Sequence, residues 1–172
     1  MNIIFEAQLS NIGNRQIIIL PLSSSKKLPS RGMVMVHGTI NNIPFNAPLE
    51  PDGKGSHWFE LDNKLSEEAI LKVGKKVEVA IEPIKDWPEP EIPKDIMDGI
   101  ENANLLQQWN SITTKARWDW LRWIRATANP ETRKKRIGVA CSKLQNGDKN
   151  PCCFDRTRCT IPEVSKSGTL LV

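Results

Sequence analysis

The stretch RGMVMVHGTINNIPF, residues 31–45, decides the fold of the first half of this chain. Its first ten residues are rich in apolar and β-branched side chains, a pattern typical of a central strand that is buried on both faces. Asn41 and Asn42 follow, and asparagine tolerates the positive φ angles that a tight hairpin turn requires. The stretch therefore predicts two antiparallel strands joined at Asn41–Asn42.

Similar strand patterns flank this hairpin on both sides, at residues 2–9, 15–22, 57–62 and 75–83. They are rich in Ile, Val, Phe or Leu, and turn-forming residues separate them. Six short strands separated by such signals are typical of a small barrel or sandwich. Residues 2–84 are therefore predicted to form one β domain.

The pattern changes at residues 85–92, KDWPEPEI, whose two prolines predict a linker. Residues 93–146 have helical periodicity and are predicted to pack on the barrel. Residues 147–172 are predicted to form a C-terminal tail that is partly loose. The predicted fold class is α+β and β-rich, with a barrel of about six strands before the helices. The predicted helix starts are Pro93, Thr113 or Thr114, and Asn129 followed by Pro130.

Several motifs in this order carry a family resemblance. ILPL, RGMVMVHGTINNIPF, GSHWFEL and GKKVEVAI resemble small bacterial proteins whose N-terminal half is known only as a domain of unknown function. WIRATANPETRKKRI, with PCCF after it, is similar to the YdeI/OmpD-associated, bacteriocin-protection group. The resemblance spans residues 2–155 and implies a double-split β-barrel, distantly like AbrB-type transcription factors, followed by helices. It implies a stress role and no mechanism. Thr127 stands where the family more often has lysine.

Positive charge is concentrated between Lys115 and Arg136, where eight basic residues meet two acidic ones. That window carries +6, and because the whole chain carries +4, the remainder carries −2. Such an asymmetric field favours an anionic partner. An AbrB-like nucleic-acid binder would instead need a basic face on the barrel. We therefore expect a small anionic ligand first and nucleic acid second.

The basic run RKKR at 133–136 begins the last predicted helix. Arg133 lies one turn before Ile137, on the line of the apolar stripe, whereas Lys135 points away from that stripe. Arg133 is therefore predicted to be partly buried and hydrogen-bonded. It either pairs with barrel carbonyls or a barrel carboxylate, or meets an anion in a groove between barrel and helices, with Arg136 at the edge of that groove.

Two tryptophans and one histidine complete the candidate groove. Trp120 shares a helix face with Leu121 and Ile124, which predicts packing, although a partner surface or base stacking would use the same side chains. His57 alternates with Phe59 and Leu61, so it faces inward as a satisfied interior histidine or as a ligand contact. The candidate ligand-binding residues are Arg133, Arg136, Trp120, Trp123 and His57.

Catalytic and metal chemistry have little support in the sequence. No serine or cysteine lies in a sharp turn with an evident base, and no glycine-rich phosphate loop occurs. The cysteines at 141, 152, 153 and 159 lack the spacing of two zinc knuckles. We therefore predict no catalytic residue, no metal and no cofactor. The adjacent Cys152–Cys153 pair could be redox-active, but nothing marks either thiol as acidic.

The start of the sequence has no basic region followed by an apolar one, and no apolar run reaches about 18 residues. These features predict a cytoplasmic protein that does not enter a membrane. The function predicted is a non-enzymatic, YdeI-like binding protein. The alternatives are an AbrB-like nucleic-acid binder and an enzyme of unknown reaction. The sequence indicates no oligomeric state.

Overall fold

The computed structural model of the chain describes residues 2–152 and 154–171. The chain divides into two compact units. The barrel unit contains the residues up to Asp86, Arg156–Cys159 and the segment from Val164 onward. The helical unit contains Trp87–Asp155 and Thr160–Glu163. The predicted linker, 85–92, is therefore divided between the two units.

The barrel unit is a closed barrel of six antiparallel strands. Around the barrel the strands follow the order β1-β2-β5-β4-β3-β6. This arrangement confirms the predicted fold class, a β-rich chain with a barrel before the helices. The strands are β1 (Ile3–Ile12), β2 (Arg15–Ile19), β3 (Val34–Ile40), β4 (Ile43–Pro51), β5 (His57–Leu61) and β6 (Lys76–Pro83).

The hairpin of β3 and β4 forms as predicted. Asn41 and Asn42 both have positive φ angles, of 46° and 69°, and Ile40 pairs with Ile43 across the turn. Along β4 the interior side chains are Phe45, Ala47 and Leu49, in the alternation that a strand imposes. These side chains join a continuous apolar core inside the barrel, to which every strand contributes.

Two short helices accompany the barrel, α1 (Leu22–Ser25) and α2 (Asn63–Glu68). The α2 helix begins after Asp62, whose carboxylate accepts a hydrogen bond from the backbone N–H of Leu65 at 2.7 Å. A side-chain oxygen at this position satisfies a backbone donor that the helix itself leaves without a partner. The cap fixes where the chain leaves β5 and enters the helix.

The C-terminal residues of the barrel unit differ from the predicted loose tail. After a single 3-10 turn, Pro162–Val164, two short strands form a hairpin, β7 (Ser165–Lys166) and β8 (Thr169–Leu170). Gly168 has a positive φ of 80° at its turn, and Leu170 donates a backbone hydrogen bond to Asp52 at 2.8 Å. Leu170 is also buried, so the hairpin has both apolar and hydrogen-bonded anchors on the barrel unit.

The helical unit contains α3 (Lys94–Asn102), α4 (Leu106–Ser111), α5 (Thr114–Arg125) and α6 (Pro130–Gln145). The predicted helix starts are confirmed. Thr113 accepts a hydrogen bond from Ala116 N–H, and the Asn129 side chain accepts from Glu131 and Thr132 N–H. Among the described residues, no helix is long and apolar enough to cross a lipid bilayer.

Candidate functional site

Arg133 lies in the first turns of α6, and its guanidinium donates two hydrogen bonds to the carboxylate of Asp95. Nε donates to Oδ2 of Asp95 at 2.7 Å, and Nη2 donates to Oδ1 at 2.9 Å. This hydrogen bonding lowers the pKa of Asp95 and raises that of Arg133. The side chain is 27% exposed. The predicted burial and pairing of Arg133 are confirmed, but the carboxylate belongs to α3 and not to the barrel.

Asp95 is the partner that the sequence reasoning did not identify. Asp95 occupies the first turn of α3, where a negative charge interacts favourably with the helix dipole. The pair therefore links the N-terminal turns of α3 and α6. Because the planar fork of Arg133 is matched to both carboxylate oxygens, this arginine acts as a clamp between helices and is not a ready ligand for an external anion.

Arg136 makes a different contact, with Trp123 of α5. Its Nη1 donates to the backbone carbonyl of Trp123 at 2.8 Å, and its guanidinium carbon lies 5.4 Å from the indole ring centroid. The hydrogen bond satisfies a carbonyl near the C-terminal end of α5. The ring contact is a cation–π interaction between the guanidinium and the indole. Arg136 and Trp123 are both half-buried, so this pair reaches the surface of the helical unit.

Trp120 is part of the core of the helical unit. Only 1% of this residue is exposed, and its indole Nε1 donates to the backbone carbonyl of Lys149 at 3.0 Å. Its ring meets that of Trp123 edge to face at 5.9 Å. Trp120 therefore packs against Trp123 from the core side. Because it is buried, it has no open face for base stacking.

His57 belongs to the barrel unit, where it is fully buried. Its Nε2 lies 2.7 Å from the carbonyl oxygen of Gly32, and its Nδ1 lies 2.7 Å from the hydroxyl of Ser25. A carbonyl only accepts hydrogen bonds, so Nε2 carries the proton and Nδ1 accepts from Ser25. Burial lowers the pKa of His57, which favours this neutral form. The arrangement matches the predicted satisfied interior histidine.

The Ser25–His57 pair has the atoms of a nucleophile and a base, but it is sealed inside the protein. Ser25 is fully buried like His57. Arg31 closes the network by donating to the Ser25 hydroxyl at 3.2 Å and to the backbone carbonyl of Ser25. A substrate could not reach the hydroxyl without opening this part of the barrel unit. The geometry is that of a buried structural network.

One important ion pair escaped the sequence reasoning. Arg117 of α5 donates to Glu89 through Nε at 2.9 Å and also through Nη2, and its Nη1 donates to the backbone carbonyl of Trp109. This bonding lowers the pKa of Glu89. A signal was present, because Arg117 shares the buried face of α5 with Trp120, Leu121 and Ile124, as Arg133 shares that of α6 with Ile137.

Most of the basic residues between 115 and 136 have contacts inside the helical unit. Arg122 is buried with its guanidinium 5.3 Å from the Phe154 ring, and Arg125 donates to the hydroxyl of Thr160. Lys134 and Lys135 are exposed, and they border an open hollow of about 500 Å³ with Glu131 and Thr132. Most basic side chains between Lys115 and Arg136 therefore make contacts within the helical unit, and only a few of them are exposed.

The described residues contain no group of three or more His, Cys, Asp or Glu side chains placed to hold a metal ion. Cys153, one of the cysteines weighed for a zinc or redox site, lies outside the described residues. Cys152 is exposed, Cys159 is buried, and burial raises the pKa of the half-buried Cys141 thiol.

The candidate residues thus fall into separate environments. Trp120, Trp123 and Arg136 form one contact series in the helical unit, and Arg133 engages Asp95 in the same unit. His57 has its partners within the barrel unit. A shared groove that would unite all five remains a prediction.

Two family models match the chain. Residues 5–81 match the family described as Domain of unknown function (DUF1905). Residues 89–147 match the family described as Bacteriocin-protection, YdeI or OmpD-Associated. No curated protein matches the chain.

Proposed function

We propose that this chain, a DUF1905 domain joined to a domain of the bacteriocin-protection, YdeI or OmpD-associated family, is a non-enzymatic binding protein for a small anion. The match of residues 89–147 to a family described as Bacteriocin-protection, YdeI or OmpD-Associated supports a stress role for this binding. Within that domain, recognition centres on Arg136.

The observation that carries this proposal is the pair of contacts between Trp123 and Arg136. A hydrogen bond at 2.8 Å and a ring contact at 5.4 Å are among the contacts that hold the guanidinium near the surface of the helical unit. A guanidinium fixed before binding loses less rotamer entropy when it meets a carboxylate or phosphate. Arg133 supports the site indirectly, because its clamp on Asp95 fixes the start of α6.

Nucleic acid is the second candidate, and the arginine contacts argue against it. A phosphate-binding face requires many basic side chains directed at the solvent. Arg117 and Arg122 are instead buried, and Arg133 is committed to Asp95. Catalysis ranks third, because the hydroxyl of Ser25 is sealed with His57.

A matched pair of variants tests the proposal. Arg136→Gln and Lys135→Gln remove the same charge from the same helix, but only Arg136 rests on Trp123. Thermal unfolding is followed in phosphate and in chloride at equal ionic strength. Phosphate stabilises many proteins by exclusion from their surface, so the difference between variants decides the outcome.

We expect phosphate to raise the melting temperature of the wild type and of Lys135→Gln by the same amount, and that of Arg136→Gln clearly less. Equal phosphate effects in all three proteins would reject a site at Arg136. Loss of the effect only in Lys135→Gln would move binding to the exposed lysines. Duplex DNA binding with a steep salt dependence would favour the nucleic-acid alternative.

A further inference from the structure

The β4 strand is paired on one side over most of its length and on the other side only at its end. All seven positions from Ile43 to Leu49 pair with β3. Toward β5, the recorded pairs are Glu50 with Trp58 and Pro51 with His57. Among the described residues, Ile43–Leu49 therefore have no strand partner on the β5 side, and we call this unpaired edge of the otherwise closed barrel the gap.

Two prolines determine which backbone groups face this gap. Pro44 and Pro48 have no N–H, so opposite Thr39 and Met35 they must occupy positions whose backbone groups point away from β3. The pairing of β3 and β4 is continuous, so Asn46 shares this orientation. The carbonyls of these three residues face the gap together with a single N–H, that of Asn46. The edge is rich in acceptors and poor in donors.

A hollow of about 210 Å³ lies at this gap. Phe45 and Leu65 contribute apolar surface to its lining, and the Phe45 ring stacks on Phe59 at 5.2 Å. The acidic residues of the lining are Glu60, Asp62 and Glu68, and Lys64 is the basic one. Glu60 is already paired with Arg15 at 3.1 Å, and Asp62 caps α2. Apolar surface is thus combined with carbonyl and carboxylate oxygens in one small hollow.

We propose that this hollow binds a small organic cation, an alkylammonium or alkylguanidinium group. Such a group brings several N–H donors to the carbonyls of β4, and its charge complements Asp62 and Glu68. Its alkyl chain fits the apolar surface of Leu65. The site is separate from the one proposed at Arg136 and does not depend on it.

An added peptide strand is a weaker candidate for this edge. Strand addition relies on alternating backbone donors and acceptors, but Pro44 and Pro48 remove two of the three donors that β4 could offer. Prolines at such positions typically protect an open edge from pairing with another chain. The prolines keep their backbone carbonyls, so the hydrogen-bond acceptors of this edge remain available, which favours a small cationic donor.

The test uses agmatine and 1,4-diaminobutane as probes, with 1,4-butanediol and succinate as neutral and anionic controls. Amide resonances of the full chain are followed by ¹H–¹⁵N NMR during titration. Both cations should produce saturable shifts centred on the amides of Asn46 and α2, with a dissociation constant on the order of 1 mM. The controls should produce none.

Three charge variants complete the test. Glu68→Gln should weaken binding about threefold and Lys64→Gln should strengthen it about threefold, as expected for exposed charges. Glu67→Gln changes the same charge on the same helix but lies outside the lining, so its affinity should match the wild type. Equal weakening by Glu67→Gln and Glu68→Gln, equal binding of the diol, or shifts centred elsewhere would overturn the proposal.

Discussion

Arg133 and Asp95 join the first turns of α6 and α3 through two parallel hydrogen bonds, of 2.7 and 2.9 Å. This clamp shows that a run of four basic residues can contain side chains with different roles. Arg133 binds a neighbouring helix, Arg136 rests on Trp123, and Lys135 is exposed. The charge of the run is therefore a poor guide to its function.

The first prediction concerns that clamp. Arg133→Ala should lower the free energy of unfolding by about 1 kcal/mol, because a partly exposed bidentate pair is lost. Lys135→Ala, the control on the same helix, should change it by less than about 0.5 kcal/mol. Chemical denaturation measures both values. A double-mutant cycle with Asp95→Ala should give a clear coupling energy, and additive effects would show that the pair contributes nothing.

Arg117 should matter more, because it is nearly buried and satisfies both Glu89 and backbone carbonyls. Arg117→Ala should destabilise the helical unit by about 2–3 kcal/mol, since these acceptors lose their partner. Arg117→Lys should recover only part of that loss, because lysine lacks the planar fork. Thermal unfolding measures the series, and full recovery by lysine would contradict the bidentate role.

His57 predicts a dependence of stability on pH. Burial lowers its pKa in the folded protein, whereas in the unfolded chain the value is about 6.5. The unfolded state therefore binds the proton more readily, so this contribution is complete above about pH 6.5 and is lost as pH falls toward the folded pKa. The hydrogen bond to the Gly32 carbonyl favours protonation, as do Asp52 and Glu50 more weakly, whereas Arg31 opposes it together with burial.

Unfolding free energies between pH 7.5 and 5 check this expectation, together with NMR of the His57 ring. The ring should titrate below its ordinary pKa, and His57→Gln should show a shallower loss of stability on acidification. A His57 ring that titrates at its ordinary pKa would contradict this prediction. So would a dependence of unfolding free energy on pH that is the same in His57→Gln as in the wild type.

Two glycines make a contrasting pair of predictions. A Cβ atom at Gly38 of β3 would overlap the carbonyl of Ala80 on β6, so Gly38→Ala should disrupt the contact that closes the barrel. Gly138 lies within α6 with open space around it, so Gly138→Ala should stabilise the chain by about 0.5–1 kcal/mol. Melting temperatures that move in the same direction would contradict this account of barrel closure.

Local signals predicted much of the fold. The hairpin at Asn41–Asn42 and the helix starts at Pro93, Thr113 and Asn129 depend on single residues whose backbone or capping preferences are strong. The C-terminal hairpin was missed because its strands have two residues each, too short for any periodicity.

The candidate site was only partly predictable. Helical periodicity placed Arg133 beside the apolar stripe, but it could not reveal Asp95, which is 38 residues away and meets Arg133 only when α3 packs on α6. The gap beside β4 was also hidden, because it depends on how far β4 and β5 pair and not on the residues of either strand alone. Long-range packing decides both features.

The central claim is that Arg136, held by Trp123, binds a small anion. The most direct measurement is a phosphate titration followed by NMR of the Arg136 Nε–H and the Trp123 indole. We predict saturable shifts of both resonances, with Arg133 Nε–H unaffected because Asp95 holds it. Shifts confined to exposed lysines, or no saturable change at Arg136 and Trp123, would contradict the claim.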